Sequence, residues 1–140
     1  MDVLNTLYTS GSALTAQRLR MDVIASNLAN VETTSTPQGG PYKREMVVFQ
    51  PRPNPPGSGN GALDQGVEVT AVVQDSTPPR RVHEPGNPLA DANGYVSYPN
   101  VDLSTEMVDL MAANRAYEAN ASVVKTTQNV VARTLDLGRA

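Results

Sequence analysis

The strongest constraint on this chain is a seven-residue spacing of apolar side chains at both of its ends. Near the N-terminus one column is apolar without exception, at Leu7, Leu14, Met21 and Leu28. The other column is mostly small and once charged, at Leu4, Gly11, Arg18 and Ala25. No proline precedes Pro37, so a helix can continue to about Asn30. Apolar residues repeating every 3.5 positions, on average, predict a helix that packs against a partner helix.

The C-terminal segment repeats this design over a longer stretch. Asp102 is placed to cap a helix, and Gly138 is placed to end it. Between them Glu106 and Asp109 occupy early turns, where the helix dipole favours acidic side chains. A complete apolar column runs through Leu103, Leu110, Tyr117, Val124 and Val131. A second column is interrupted by polar residues and runs through Met107, Asn114, Ala121, Gln128 and Leu135.

The surface of the first helix is unusual for a solvated one. The first thirty residues contain only four charged side chains, and most of the other polar positions are Thr, Ser, Asn or Gln. Exposed helices usually carry Glu and Lys. Aromatic residues make up only 4% of the chain, so we expect a thin core or one completed by neighbouring chains. An ordinary two-helix hairpin remains the alternative interpretation.

The middle of the chain predicts a small β-rich module. Residues 31–41 break the first helix, and residues 43–50, 66–75 and 95–98 read as three strands of one small sheet. Residues 66–75 alternate as a half-buried strand does, and Pro78-Pro79 ends it. Residues 51–65 are rich in Pro and Gly and predict a flexible loop. The predicted fold is therefore α+β: an N-terminal helix (1–30), a β-rich module (31–101) and a C-terminal helix (102–140), with the two helices pairing as a coiled coil.

The sequence holds no convincing site for chemistry. His83 is the only histidine and there is no cysteine, so triads, thiolate chemistry and zinc sites lack their residues. Residues 88–94 lack the acids of a calcium loop, and a turn at Asn93-Gly94 is the better interpretation. We expect no catalytic residue, no cofactor and no metal. A formal charge of −3 disfavours nucleic acid, and no apolar run is long enough to span a membrane.

Two segments resemble the signatures of a known family. Residues 13–33 (ALTAQRLRMDVIASNLANVET) are similar to the N-terminal segment of flagellar rod and hook axial proteins, above all at Ser26-Asn27-Leu28-Ala29-Asn30. Residues 105–120 (TEMVDLMAANRAYEAN) resemble the C-terminal signature of the same family. Residues 85–102 are similar to a segment of its C-type proximal rod subunits.

The resemblance implies a structural role in the bacterial flagellum. Family members are exported through the flagellar type III apparatus without a cleaved signal peptide, and they assemble in the periplasm into a tubular, torque-transmitting rod. The expected partners are other rod proteins, the membrane ring and export apparatus, and further copies of the chain in a helical assembly. The alternatives are another type of rod subunit, or a helical adaptor or secretion chaperone; a small enzyme is disfavoured. The expected assembly interface comprises the helix stripes and family motifs: Leu7, Leu14, Met21, Ser26, Asn27, Leu28, Ala29, Asn30, Leu103, Met107, Leu110, Arg115, Tyr117, Val124 and Val131.

Overall fold

The structure, a computed structural model, describes residues 3–53 and 66–138. Most of the predicted flexible loop 51–65 lies outside the described residues. The elements follow one another as helix α1 (Val3–Ala29), strands β1 (Glu45–Pro51), β2 (Val67–Gln74), β3 (Arg80–His83) and β4 (Tyr95–Tyr98), and helix α2 (Leu103–Leu137).

The two long helices pack against each other along their length. Asn27 near the end of α1 bonds to Glu106 near the start of α2, and Arg20 lies 3.4 Å from Asp109, further along α2. Moving back along α1 therefore means moving forward along α2, so the pair is antiparallel. The predicted α+β class with paired terminal helices is confirmed.

The second column predicted for α2 is wrong by one position. Met107, Asn114, Gln128 and Leu135 are exposed and only Ala121 is half-buried, whereas Glu106 and Ala113 are buried. Periodicity alone assigns apolar residues to the inward face of α2. At these two inward positions, however, the structure has a buried carboxylate and a small residue. Small side chains let two helix backbones approach closely.

Both predicted ends of α2 are confirmed. The Asp102 carboxylate accepts a hydrogen bond from the Thr105 backbone N–H at 2.7 Å. At the other end Gly138 is the capping residue, and its backbone N–H donates to the carbonyls of Thr134 and Asp136. Each bond satisfies a polar group that the helix itself leaves unpaired.

Acid should destabilise the N-terminal end of α2, and a substitution at Asp102 should remove this pH dependence. The hydrogen bond from the Thr105 amide lowers the pKa of the Asp102 carboxyl below its ordinary value. Its ionised form therefore stabilises the fold above the unfolded pKa of about 4, and this contribution is lost as the pH falls through the folded pKa. Asn caps a helix about as well as Asp but does not titrate here. We expect the stability of Asp102→Asn relative to wild type to rise as the pH falls from neutral to about pH 2, because only the wild-type cap loses its charge; urea unfolding followed by circular dichroism measures this difference. A stability difference that stayed constant over this range would contradict the assignment.

The β-rich module differs from the single three-stranded sheet predicted. It contains two antiparallel two-stranded sheets, β1–β2 and β3–β4. Strand β3 was missed because it is only four residues long, begins with Arg80-Arg81 and directly follows Pro78-Pro79. Its arginines lie over tyrosine rings of β4, with the Arg80 guanidinium 5.5 Å from the Tyr98 ring and the Arg81 guanidinium 4.9 Å from the Tyr95 ring. Cation–π contacts of this kind let a charged strand pair with an aromatic one.

The predicted half-burial of β2 is wrong over most of its length. Only Val67 to Val69 are partly covered, and the rest of the strand is exposed on both faces. Its pairing with β1 shifts between Val48 and Phe49, so that Thr70 is the extra residue of a β-bulge, and the Thr70 hydroxyl donates to the Val48 carbonyl at 3.3 Å. Apolar side chains of the sheet are left exposed: Met46, Val48, Phe49, Val72 and Val73.

The buried core is thin, as the composition predicts. Its apolar members include Ala16, Val23 and Ile24 of α1, Val96 of β4 and Ala113 of α2. None is aromatic. Helix α1 contacts α2 and also both strands of the first sheet, so it is the central element of the fold.

Candidate assembly site

The family motif at the end of α1 meets the C-terminal signature in a buried polar cluster. Glu106, 0% exposed, receives a hydrogen bond from the side-chain amide of Asn27, with 3.1 Å between Nδ2 and Oε2. Arg44, just before β1, donates to the other carboxylate oxygen, with 2.5 Å between Nε and Oε1. We call Asn27, Arg44 and Glu106 the polar cluster. It joins three segments that lie far apart in the sequence.

Asn27 uses every hydrogen-bonding position of its side chain. Its Oδ1 accepts from the Glu45 backbone N–H at 2.9 Å and from the Tyr42 hydroxyl at 2.9 Å. Its Nδ2 donates to the Glu45 carbonyl at 2.9 Å as well as to Glu106. An asparagine amide has two acceptor and two donor positions, so all four are satisfied. Asn27 thus binds the backbone of the first residue of β1 much as a neighbouring strand would.

Arg44 balances several acidic groups. Besides Glu106, its guanidinium lies 3.5 Å from Asp109 and 3.8 Å from Asp75. Its backbone N–H donates to Asn100 Oδ1 at 3.0 Å, just before α2 begins. A buried carboxylate is tolerated only when it is paired and hydrogen-bonded, and Arg44 provides the charge that Glu106 requires.

The neighbouring motif residues support this cluster. The Ser26 hydroxyl lies 3.4 Å from the Tyr42 hydroxyl, and burial raises the pKa of Tyr42 above its ordinary value. Asn30 donates from its side chain to the Ser26 carbonyl at 2.9 Å and accepts from the Thr33 hydroxyl at 3.1 Å. These bonds satisfy backbone and side-chain groups where α1 ends. The motif therefore has a structural role: its hydrogen bonds end helix α1 and attach this helix to strand β1.

The structure places the expected interface residues in three groups. Asn27 is buried. The half-buried group lies largely along the helix pair, and its members are Leu7, Leu14, Met21, Ser26, Leu28, Asn30, Leu110, Tyr117, Val124 and Val131. The exposed group consists of Ala29, Leu103, Met107 and Arg115.

Helix α2 keeps two apolar rows that its pairing with α1 does not cover. One row has a spacing of four residues, with Leu103, Met107 and Met111 each more than half exposed. The other has a spacing of seven residues, with Val123, Val130 and Leu137 all exposed. A spacing of four or seven places side chains on one side of a helix. We call these the four-spaced row and the seven-spaced row.

Sequence reasoning missed Arg44 and misjudged Glu106. Glu106 was assigned to the helix dipole, whereas the structure pairs it with a cation 62 residues earlier. The available signal was the Glu within the C-terminal signature, which follows Asp102 by four positions and would otherwise be an ordinary first-turn acid. Arg44 stands in no motif, so nothing local identified it.

The remaining candidate features have ordinary structural roles. The His83 ring packs against Tyr95, with 4.9 Å between ring centroids. Asp91 accepts from the backbone N–H groups of Asn93 and Tyr95, which confirms a turn at the segment with calcium-loop character. Residues 3–53 and 66–138 contain no group of three or more His, Cys, Asp or Glu side chains that could hold a metal ion. Within the same ranges no helix has the length and apolar character needed to cross a membrane.

Models of two protein families match the chain, one at each end. The family described as flagella basal body rod protein matches residues 7–35. The family described as flagellar basal body rod FlgEFG protein C-terminal matches residues 92–137. The first range contains Asn27 and the second contains Glu106. The two helices that meet in the polar cluster therefore lie in the two segments that match flagellar basal body rod proteins.

Full-length relatives define the family more narrowly. The chain is 48% identical to the flagellar basal-body rod protein FlgC of Escherichia coli O157:H7 and to that of Salmonella typhimurium strain LT2, over 99% of this chain and 100% of each relative. It is 41% identical to the FlgC protein of Bacillus subtilis strain 168, again over 99% of this chain and 100% of the relative. The chain belongs to the FlgC family of flagellar basal-body rod proteins.

Proposed function

We propose that this chain is a structural subunit of the flagellar basal-body rod, located in the proximal rod. Its family membership supports the role of rod subunit, and the similarity of residues 85–102 to proximal subunits supports the finer position. Residues 1–30 and 102–140 act as the axial helices, and residues 31–101 form the β-rich module between them. The subunits join into a tubular shaft that transmits torque.

The observation that carries the assembly proposal is the pair of apolar rows left uncovered on α2. Both rows lie on a helix whose inward face is already occupied by α1. Exposed apolar side chains at helical spacing are typical of surfaces that bind another helix. Neighbouring rod subunits supply such helices, and contacts that do not close on themselves extend an assembly along its axis.

The expected partners are other rod proteins, further copies of this chain, and the membrane ring and export apparatus at the base of the rod. We place the assembled subunit in the periplasmic part of the basal body, reached by flagellar type III export without a cleaved signal peptide. We propose no catalytic role, because the relatives carry the names of rod proteins and the single histidine serves as a packing residue.

Charged substitutions in the apolar rows should abolish swimming without unfolding the chain. We expect Met111→Glu in the four-spaced row and Val130→Glu in the seven-spaced row each to eliminate spreading in soft agar when they replace the native chain in its host. Both side chains are more than half exposed, so the circular dichroism spectrum and melting of the purified variants should match wild type.

The matched control adds the same charge to the same helix outside the rows. Ser122→Glu changes an exposed polar position and should swim normally. Wild-type swimming by both row variants would contradict assembly through α2. Recovery of the chain as a stable cytoplasmic dimer would instead favour the adaptor or chaperone alternative.

A further inference from the structure

In the part of the chain that the structure describes, the first sheet packs on one helix only, α1. We call β1 and β2 together the ribbon. Met46 pairs with Val73, and Val48 pairs with Ala71. Cross-strand partners and residues two apart project to the same side, so these four exposed apolar side chains share the outer side of the ribbon. Val47, on the opposite side, is half-buried and lines a cavity against α1.

A two-stranded sheet of this kind depends on the element that covers it. An isolated pair of strands is marginally stable at best in water, and it needs a third strand or a packed helix to persist. Within the described residues β1 and β2 pair only with each other. A sheet side that faces water usually carries polar residues, whereas the outer side of the ribbon is apolar. The packing that stabilises the ribbon therefore comes from its contact with α1.

Polar contacts attach both ends of the ribbon to α1. At one end the Asn27 side chain bonds to both backbone groups of Glu45. At the other end the Ser12 hydroxyl accepts from the Val67 backbone N–H at 3.0 Å and donates to the Thr9 carbonyl at 2.8 Å. This hydroxyl thus joins the backbone of α1 to the backbone of β2.

The chain approaches α1 very closely just before β2 begins. Gly66 has a φ of 81°, and a Cβ at this position would collide with the Ser12 hydroxyl. The Gly66 carbonyl accepts from the Arg52 backbone N–H at 3.0 Å. The Arg52 guanidinium donates to the Tyr8 hydroxyl and lies 5.4 Å from the centre of the Tyr8 ring. The segments that leave β1 and enter β2 are therefore both held on the first half of α1.

The separation of the two attachment points fits the ribbon only when α1 is helical. Ser12 and Asn27 lie fifteen residues apart, which is about 22 Å along a helix. The seven residues of β1 cover about 20 Å as a strand. In an extended chain the same part of α1 would span up to about 50 Å. A disordered segment would hold the two attachment points at no fixed distance, so neither end of the ribbon would be placed relative to the other.

The second sheet has no such dependence on α1. In residues 3–53 and 66–138, strands β3 and β4 pack on neither long helix. Their connection is held by bonds within the same segment, since Asp91 Oδ1 accepts from the backbone N–H groups of Asn93 and Tyr95. The Glu84 backbone N–H also donates to the Gly94 carbonyl at 2.8 Å.

We infer that the ribbon and helix α1 form together, so that the β1–β2 sheet exists only while α1 is helical from Ser12 to Asn27. The β3–β4 sheet does not belong to this cooperative unit. The dependence holds whether α1 is helical in the free chain or becomes helical only beside neighbouring chains. Met46, Val48 and Val73 are therefore brought together on one side of a sheet only in chains whose α1 is ordered.

Disulfide bonds placed across each sheet test this coupling in the full chain, which contains no cysteine of its own. The ribbon pair combines Met46→Cys with Val73→Cys, and the control pair combines Arg81→Cys with Ser97→Cys. The members of each pair face each other across antiparallel strands, within the Cα distance that a disulfide bridges. Each purified chain is compared in its oxidised and reduced forms.

Coupling between two elements is reciprocal, so fixing the ribbon should stabilise α1. We expect oxidation of the ribbon pair to slow hydrogen exchange of the amides between Ser12 and Asn27 by at least about threefold, as measured by mass spectrometry. Oxidation of the control pair should leave the exchange of these amides unchanged. The effect does not require a fully formed helix in the reduced chain, because exchange slows with any gain in helical population.

A substitution in α1 tests the attachment itself. Ser12→Ala removes the hydroxyl that binds β2 but favours the helix, so it should reduce the effect of ribbon oxidation by at least about half. Thr15→Ala is the matched control and should leave the effect unchanged, because the exposed Thr15 hydroxyl bonds to the Gly11 carbonyl of the same helix.

Unchanged exchange in α1 after oxidation of the ribbon pair would overturn the inference. Equal slowing by both disulfides would overturn it too, since the second sheet would then be coupled to α1 as strongly as the first. Equal effects of Ser12→Ala and Thr15→Ala would also overturn it, because the coupling would then not depend on the contact between α1 and β2.

Discussion

Replacing Arg44 with alanine is expected to lower the free energy of unfolding by about 3–5 kcal/mol, because it leaves a buried carboxylate without its cation. Glu106 would keep only the Asn27 amide as a partner, while Asp109 and Asp75 would lose a nearby positive charge. The loss should appear in urea unfolding at neutral pH as a lower midpoint with an unchanged slope.

Two comparisons separate this effect from the mere loss of an arginine. Arg52 pairs with Glu68 at 3.7 Å with both side chains more than one third exposed, so Arg52→Ala should cost at most about 1 kcal/mol. The double variant Arg44→Met/Glu106→Leu replaces the buried pair with apolar groups and should recover most of the stability that Arg44→Ala loses. A loss in unfolding free energy below about 1 kcal/mol for Arg44→Ala would show that the ion pair of Arg44 and Glu106 does not hold β1 against α2.

The second large effect is expected at Asn27. Asn27→Ala should lower the free energy of unfolding by about 2–4 kcal/mol. The substitution removes four hydrogen bonds, and each group that was bonded to the Asn27 side chain loses a partner. These partners include both backbone groups of Glu45, which lie where β1 begins. Thermal or urea unfolding of the purified variant measures the loss, and hydrogen exchange of the β1 amides should rise with it.

An exposed asparagine on the other helix provides the control for this substitution. Asn114 makes one bond to Glu118 across a helical turn, and Asn114→Ala should change the stability by no more than about 0.5 kcal/mol. Equal costs at Asn27 and Asn114 would mean that the buried amide has no special role.

The elements with strong local patterns could be predicted from the sequence. The two helices carry long apolar columns, and the cap at Asp102 and the stop at Gly138 follow from simple local chemistry. The motif around Asn27 was identified as important by its resemblance to a family. Its physical role was not, because that role depends on backbone groups of β1 that no sequence pattern displays.

What the sequence could not supply are the contacts between distant segments. Periodicity favoured Met107 over Glu106 for the inward face, since an apolar residue is the usual occupant. Glu106 is inward because Arg44 and Asn27 meet it there, and this is a property of the folded chain. Strand β3 could not be predicted for a related reason. Its arginines fit into a strand because the tyrosines of β4 lie beside them.

If this chain is built into the flagellar rod, it must be present in purified basal bodies, and their composition can be measured. A chain carrying a small epitope in place of residues 57–61 would replace the native copy in its host, and basal bodies would be extracted with detergent and quantified by mass spectrometry. We expect a fixed number of copies per basal body, retained after high-salt washing, and loss of that signal with Val130→Glu. Basal bodies that form normally and contain no copy of the chain would contradict it.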